Sequence, residues 1–212
     1  PKTEKPSLFS KTGVNPTKVT LTAEQNGATV ATATCQRLFI SPETNMMEVR
    51  ERGLAGKFFT PKKQGRYPGV IVLEGSAGGL VWSEQIASLL ASHGYAVLAL
   101  AYFHYEGLSS GLVNIPLEYF ETAIEWMEKQ ESVITGKVAV SGISRGGELV
   151  LLLGATFPKI RCVIAYVPSN AVLGPFTDDP KEAQSDAWTY RGKGVPRIER
   201  RENPDEVDEV YN

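Results

Sequence analysis

The sequence predicts an α/β domain built on a doubly wound, mostly parallel sheet and preceded by a partial β-sandwich module. Three observations carry this reading: three cycles of apolar strand and helix after Pro68, unbroken apolar runs in the strands of those cycles, and an alternating hairpin pattern before Lys62. Strands covered on both faces read as continuous apolar runs, whereas a half-exposed antiparallel ribbon alternates. The division that follows is residues 1–61 for the module and 66–212 for the α/β domain, joined by Lys62-Lys63-Gln64-Gly65.

In chain order, the hairpin over residues 18–39 turns at Asn26-Gly27, with Val19, Leu21 and Ala23 before it and Val30, Thr32 and Thr34 after it. Asn-Gly supplies the left-handed backbone that a two-residue hairpin turn needs. A further short strand is expected at residues 57–60, closed by Pro61, and so few strands make part of a sandwich rather than a whole one. The first α/β cycle is the strand Val70-Ile71-Val72-Leu73, the turn Gly75-Ser76-Ala77-Gly78-Gly79 and a helix over residues 83–93. The second is a strand at residues 95–101 and a helix carrying Leu117, Phe120, Ile124 and Met127 at helical spacing, with Asn114 and Pro116 as start signals. The third is a strand at 137–141, a helix at 147–156 and a strand at 161–167. Repeated β-α units with short turns specify helices on both faces of a parallel sheet.

Composition narrows the function classes. With 42% hydrophobic and 22% charged residues, the chain is globular rather than disordered or fibrous. A formal net charge of -2 offers no global field for nucleic acid or an anionic membrane, so neither is an expected partner. Cys35 and Cys162 are the only cysteines and no Cys/His cluster has ligand spacing, so no metal, cofactor or disulfide framework is expected. The polar start Pro1-Lys2-Thr3-Glu4-Lys5-Pro6 lacks the apolar core of a secretory signal, and no run is long enough to span a bilayer. A cytoplasmic, reducing location is the expectation. The start at Pro1 and the charged stretch at 200–212 suggest an excerpt of a longer chain.

Between the third strand and its helix lies Gly142-Ile143-Ser144-Arg145-Gly146, a G-x-S-x-G pattern in the strand–turn–helix setting of an α/β-hydrolase nucleophile elbow. The glycines let the backbone turn sharply enough to hold Ser144 in a strained conformation with its hydroxyl outward, where the helix N-terminus favours developing negative charge. Ser144 is therefore the expected catalytic nucleophile. An oxyanion hole needs two amide donors. The first is the N–H of Arg145, and the second comes from the glycine-rich loop, where Ser76 and Ala77 both qualify. The competing readings of that loop are a phosphate cradle or a plain tight turn, but it lacks dinucleotide spacing and a Walker lysine.

The base is harder to place. His93 precedes Gly94 at a helix end and reads as a C-terminal cap. His104 follows the second strand, at the carboxyl edge of the sheet beside the elbow, and reads as a pocket wall. In this hydrolase order the histidine follows the serine and the acid, so no triad base is identified. Glu106, Glu148, Asp178, Asp179 and Asp186 have no special spacing and read as solvated surface.

Four stretches together resemble the acyl-CoA thioesterase and bile acid-CoA:amino acid N-acyltransferase family. They are Pro68-Gly69-Val70-Ile71-Val72-Leu73, the run from Ala87-Ser88-Leu89-Leu90-Ala91-Ser92-His93-Gly94 to Tyr95-Ala96-Val97-Leu98-Ala99-Leu100-Ala101-Tyr102, Leu117-Glu118-Tyr119-Phe120, and Ser144-Arg145-Gly146-Gly147-Glu148-Leu149. The resemblance is densest over residues 68–167 and looser in the hairpin and at Trp188-Thr189-Tyr190-Arg191-Gly192-Lys193. It implies an N-terminal β-sandwich and an α/β-hydrolase domain acting on acyl-CoA thioesters, with Ser144 as nucleophile and a serine at that position favouring hydrolysis over transfer to an amino acid. It also implies that the acid and histidine come from a C-terminal region without counterpart here, so that the domain is incomplete at its C-terminus.

The expected partner is thus acyl-CoA or a related small-molecule ester. Arg191, Lys193, Arg197, Arg200 and Arg201 could meet CoA phosphates, although interleaved acids favour a solvated face. Rival readings are a carboxylesterase or dienelactone-type hydrolase with the same elbow, and a catalytically impaired binding or scaffold remnant, suggested by the unplaced histidine. Acyl chain length and oligomeric state leave no signal in the sequence.

Overall fold

The computed structural model describes residues 11–198. Its elements in order are β1 (Thr17–Gln25), β2 (Ala28–Arg37), β3 (Thr44–Val49), β4 (Ala55–Pro61), β5 (Tyr67–Leu73), α1 (Val81–Ser92), β6 (Ala96–Ala101), β7 (Ile115–Pro116), α2 (Leu117–Glu128), β8 (Val133–Ile143), α3 (Arg145–Thr156), β9 (Ile160–Tyr166), β10 (Trp188–Tyr190) and β11 (Lys193–Gly194). The central sheet has the order β3-β4-β6-β5-β8-β9. Its β6-β5-β8-β9 portion is parallel, and β3 and β4 add antiparallel strands at one side.

The unbroken apolar runs of β5 and β6 are buried on both faces because helices cover both. Val70 and Val72 of β5, with Val97 and Ala99 of β6, pack against Ala87 and Ala91 of α1. Ile71, Leu73, Leu98 and Leu100 point the other way, onto Phe120, Ile124 and Met127 of α2 and Leu149, Val150 and Leu153 of α3. Alternate residues of one strand thus serve two cores, and the doubly wound, mostly parallel α/β architecture expected from the sequence is the one observed.

The hairpin β1–β2 is a separate two-stranded antiparallel sheet turning at Asn26 and Gly27, whose φ values are 54° and 78°. The strand expected at residues 57–60 as part of the N-terminal module is corrected. It is β4, and it pairs with β6 of the central sheet, so the division at 61/66 runs between two strands of one sheet. The reason is close approach and burial: Phe59 is wholly buried in the α1-side core, and a Cβ on Gly56 would collide with the Ala99 carbonyl. Of the strands among the described residues of that module, those of the hairpin alone stay outside the central sheet.

Glu74, just past β5, anchors the following helix. One carboxylate oxygen accepts the N–H groups of Trp82 and Ser83 at 2.9 and 3.0 Å, satisfying two free amides at the start of α1. Burial pushes its carboxyl above the ordinary range, against the pull of those amides. The folded state then holds this proton more tightly than the unfolded chain, so the contribution of Glu74 to stability falls as pH rises from its unfolded titration through its folded one and then levels. Glu74→Gln removes the titration and keeps a carbonyl acceptor. Urea denaturation in acid and at neutral pH is expected to show the wild type losing ground relative to the variant at the higher pH; a pH-independent difference would contradict the assignment.

Candidate active site

The order of strands reverses at β5, which lies between β6 and β8 in a region where all three run parallel. Loops leaving the carboxyl ends of these strands diverge there and open a crevice where α/β sheets bind ligands. Three sequence-predicted features converge on it: the glycine-rich loop after β5, His104 after β6, and Ser144 after β8.

Ser144 stands between β8 and α3 with φ 54° and ψ -116°, and its side chain is exposed. For a non-glycine residue this backbone is strained, and the surroundings impose it. Its N–H donates to the Tyr166 carbonyl at 2.9 Å and its carbonyl accepts from Glu148 N–H at 3.0 Å, so both flanks are held. The glycines on either side have steric duties: a Cβ on Gly142 would collide with the Gly146 carbonyl, and one on Gly146 with the Glu74 carbonyl. Only at this spacing can the turn lie flat against β5.

Because α3 begins at Arg145, the Arg145 amide belongs to the helix's opening turn, whose N–H groups have no carbonyl one turn back within the helix. The glycine-rich loop lies beside it, since a Cβ on Gly75 would stand 3.3 Å from that of Ser144. Ser76, half-buried, and Ala77, exposed, follow in the same loop. Gly78 and Gly79, at φ 63° and 66°, close the loop with Gly78 N–H donating to Gly75 at 3.1 Å and Gly79 N–H to Phe103 at 3.0 Å.

His104 is exposed at the mouth, and its Nδ1–H donates to the Ala77 carbonyl at 2.9 Å; a carbonyl can only accept, so Nδ1 carries the hydrogen. A cleft of about 800 Å³ opens beside it, lined by Ser76, Ala77, Phe103, Phe176, Thr177 and Asp179 among others. His93 is the C-terminal cap of α1, its Nδ1 donating to Leu89 at 2.9 Å. Among the described residues neither histidine bonds to Ser144.

Of the acids read as solvated surface, Glu106, Asp178 and Asp179 are exposed and Asp186 is half-buried, 3.6 Å from Arg197. Glu148 is a correction: in the first turn of α3 it is buried, paired with Arg145 at 2.8 Å and bonded by the Trp188 indole N–H at 2.9 Å. Its partner Trp188 lies far along the chain, so local spacing gave no signal. Burial pushes the Glu148 carboxyl up and the Arg145 guanidinium down, the same cause acting on both charges. Arg191 and Lys193 are exposed, and Arg200 and Arg201 lie outside the described residues. No group of His, Cys, Asp or Glu among the described residues has the arrangement of a metal site, and no helix there is long and apolar enough to cross a membrane.

A mostly parallel sheet wrapped by helices on both faces, with an elbow at the carboxyl end of a central strand, defines an α/β-hydrolase fold. The crystal structure of a dienelactone hydrolase-like promiscuous phosphotriesterase from metagenomic libraries is similar in fold, with TM-score 0.51 at 20% identity over 70% of this chain and 67% of that one. Residues 115–189 match the family described as BAAT / Acyl-CoA thioester hydrolase C terminal. The chain is 42% identical over 129 residues to acyl-coenzyme A thioesterase 6 of Mus musculus, covering 61% of this chain and 30% of the relative. It is 38% identical over 139 residues to the bile acid-CoA:amino acid N-acyltransferase of Mus musculus, covering 66% and 33%. The resemblance carried by the sequence motifs is therefore borne out: the chain is a relative of the acyl-CoA thioesterases and bile acid-CoA:amino acid N-acyltransferases. It spans about a third of the length of the curated relatives it matches.

Proposed function

We propose that the protein hydrolyses acyl-CoA thioesters through Ser144. The observation that carries this is the exposed, strained serine at the start of α3 beside the Gly75 loop, in a chain whose relatives are named as acyl-coenzyme A thioesterases. In this reading the Ser144 hydroxyl loses its proton to a base and its oxygen attacks the thioester carbonyl carbon. The carbonyl oxygen becomes an oxyanion held by the Arg145 N–H and by an amide of Ser76 or Ala77. Collapse breaks the carbon–sulfur bond, and the protonated base gives its proton to the departing sulfur, releasing CoA as the thiol. Water then loses a proton to the base as its oxygen attacks the acyl-serine ester, and the base passes that proton to the Ser144 oxygen as the carboxylic acid leaves. The base is assigned to a histidine downstream in the complete protein, as the family resemblance implies. Serine in place of a cysteine nucleophile favours water over an amine as acceptor. The free, exposed Cys35 and Cys162 fit a reducing compartment, and the cytoplasm is the one proposed.

Palmitoyl-CoA and short p-nitrophenyl esters assayed side by side test the substrate class. Faster turnover of the thioester is expected, and a clear preference for the esters would replace this reading with a carboxylesterase. A fluorophosphonate probe tests the nucleophile separately. Weak labelling that disappears in Ser144→Ala is expected, since no base among the described residues is bonded to the serine, and a wild type without any label would leave a binding remnant as the better account.

A further inference from the structure

Residues 171–190 run from the end of β9 back across the start of α3, and Glu148 is where they are fastened. Its Oε1 accepts the Trp188 indole N–H at 2.9 Å and the Leu173 amide at 3.3 Å, while its Oε2 receives the Arg145 guanidinium at 2.8 Å. Arg145 in turn donates to the carbonyls of Gly174 at 2.9 Å and Leu173 at 3.3 Å. The same segment carries Phe176, Thr177 and Asp179 into the cleft wall. It is sewn to the other wall by the reciprocal Leu112–Phe176 bonds at 2.9 and 3.1 Å and by Ile115 N–H to the Ala187 carbonyl at 2.9 Å.

A buried ion pair is seldom the most stable way to fill such a space, since apolar groups of equal volume avoid the desolvation of both charges. What the pair supplies is direction. Arg145 is also the residue whose amide opens α3 next to Ser144, so its guanidinium ties the segment to the elbow residue itself.

Resting on the Ser144 reading above, we propose that Glu148 is a positioning residue: with Arg145 and Trp188 it joins the cleft wall to the Ser144–Arg145 turn, so that cleft geometry and the aim of the nucleophile and its oxyanion amide are set together. Glu148→Gln keeps the shape and an acceptor for Trp188 but removes the charge, and Trp188→Phe keeps most of the ring but removes the indole donor.

Two readouts on the whole chain test this. In fluorophosphonate labelling, both variants are expected to lower the maximal rate by about tenfold or more with little change in the half-saturating probe concentration. In hydrogen exchange, amides of residues 145–148 and 172–174 are expected to exchange about tenfold faster, while β5 and β6 keep wild-type rates. Wild-type behaviour in both readouts overturns the proposal. So does acceleration spread evenly through β5 and β6, which is loss of global stability, and so does local acceleration with unchanged labelling, which is a fastening that aims nothing. Failure of the Ser144 reading itself looks different, since the wild type would then take no label. The exchange readout alone would still decide whether Glu148 makes the joint.

Discussion

Alanine at Gly146 is expected to destabilise the protein by about 3 kcal/mol or more, a large part of the roughly 5–15 kcal/mol that holds a domain folded. Helix propensity alone predicts the opposite sign, because alanine is better than glycine inside a helix by about 1 kcal/mol. Packing decides the matter. The added Cβ would overlap the Glu74 carbonyl oxygen and lie 2.9 Å from that of Leu73. Both obstacles are backbone at the end of β5, which is hydrogen-bonded on either side to β6 and β8 and cannot swing away like a flexible side chain. Relief requires α3 to lift from the sheet, which would open the contacts of Leu149, Val150 and Leu153 with the core. A urea titration reporting midpoint and slope measures the loss, and a variant as stable as the wild type would mean that the helix does not press on β5 as described.

Sequence patterns reported what depends on neighbours along the chain. The unbroken run Val70–Leu73 signalled a strand covered on both faces, Asn26-Gly27 signalled its turn, and the glycines around Ser144 signalled an elbow because the tight approach of α3 to β5 can be met only without side chains. Legibility ended where burial depends on a distant partner. Glu148 looks like any surface glutamate until Trp188, forty residues on, supplies its donor. The strand Thr44–Val49 carries Met46 and Met47 outward and shows little alternation, so neither it nor the antiparallel side of the sheet announced itself. The strand read at 161–167 has the composition of a covered strand, yet Val163, Ile164 and Tyr166 of β9 are exposed, and among the described residues β9 pairs only with β8, at one side of the sheet. Pairing, unlike periodicity, has no signature within a single strand.

Glycine and alanine at position 144 are expected to part company in stability while agreeing in function. Either change removes the hydroxyl that a fluorophosphonate would modify, so labelling at this position should be lost in both variants. The backbone at φ 54° and ψ -116° costs a residue with a Cβ roughly 1–3 kcal/mol, and alanine bears that cost just as serine does. Glycine escapes it but leaves a freer unfolded chain, which takes back about 0.4–1 kcal/mol. The balance puts Ser144→Gly ahead of both wild type and Ser144→Ala by about 1 kcal/mol in urea denaturation. The hydroxyl makes little difference to this balance, because the side chain is exposed and the bonds that hold the turn run from its backbone to Tyr166 and Glu148. Equal stability of the glycine and alanine variants would mean that the turn is relaxed. The outward aim of Ser144, on which the proposed nucleophilic attack depends, would then lack its physical cause.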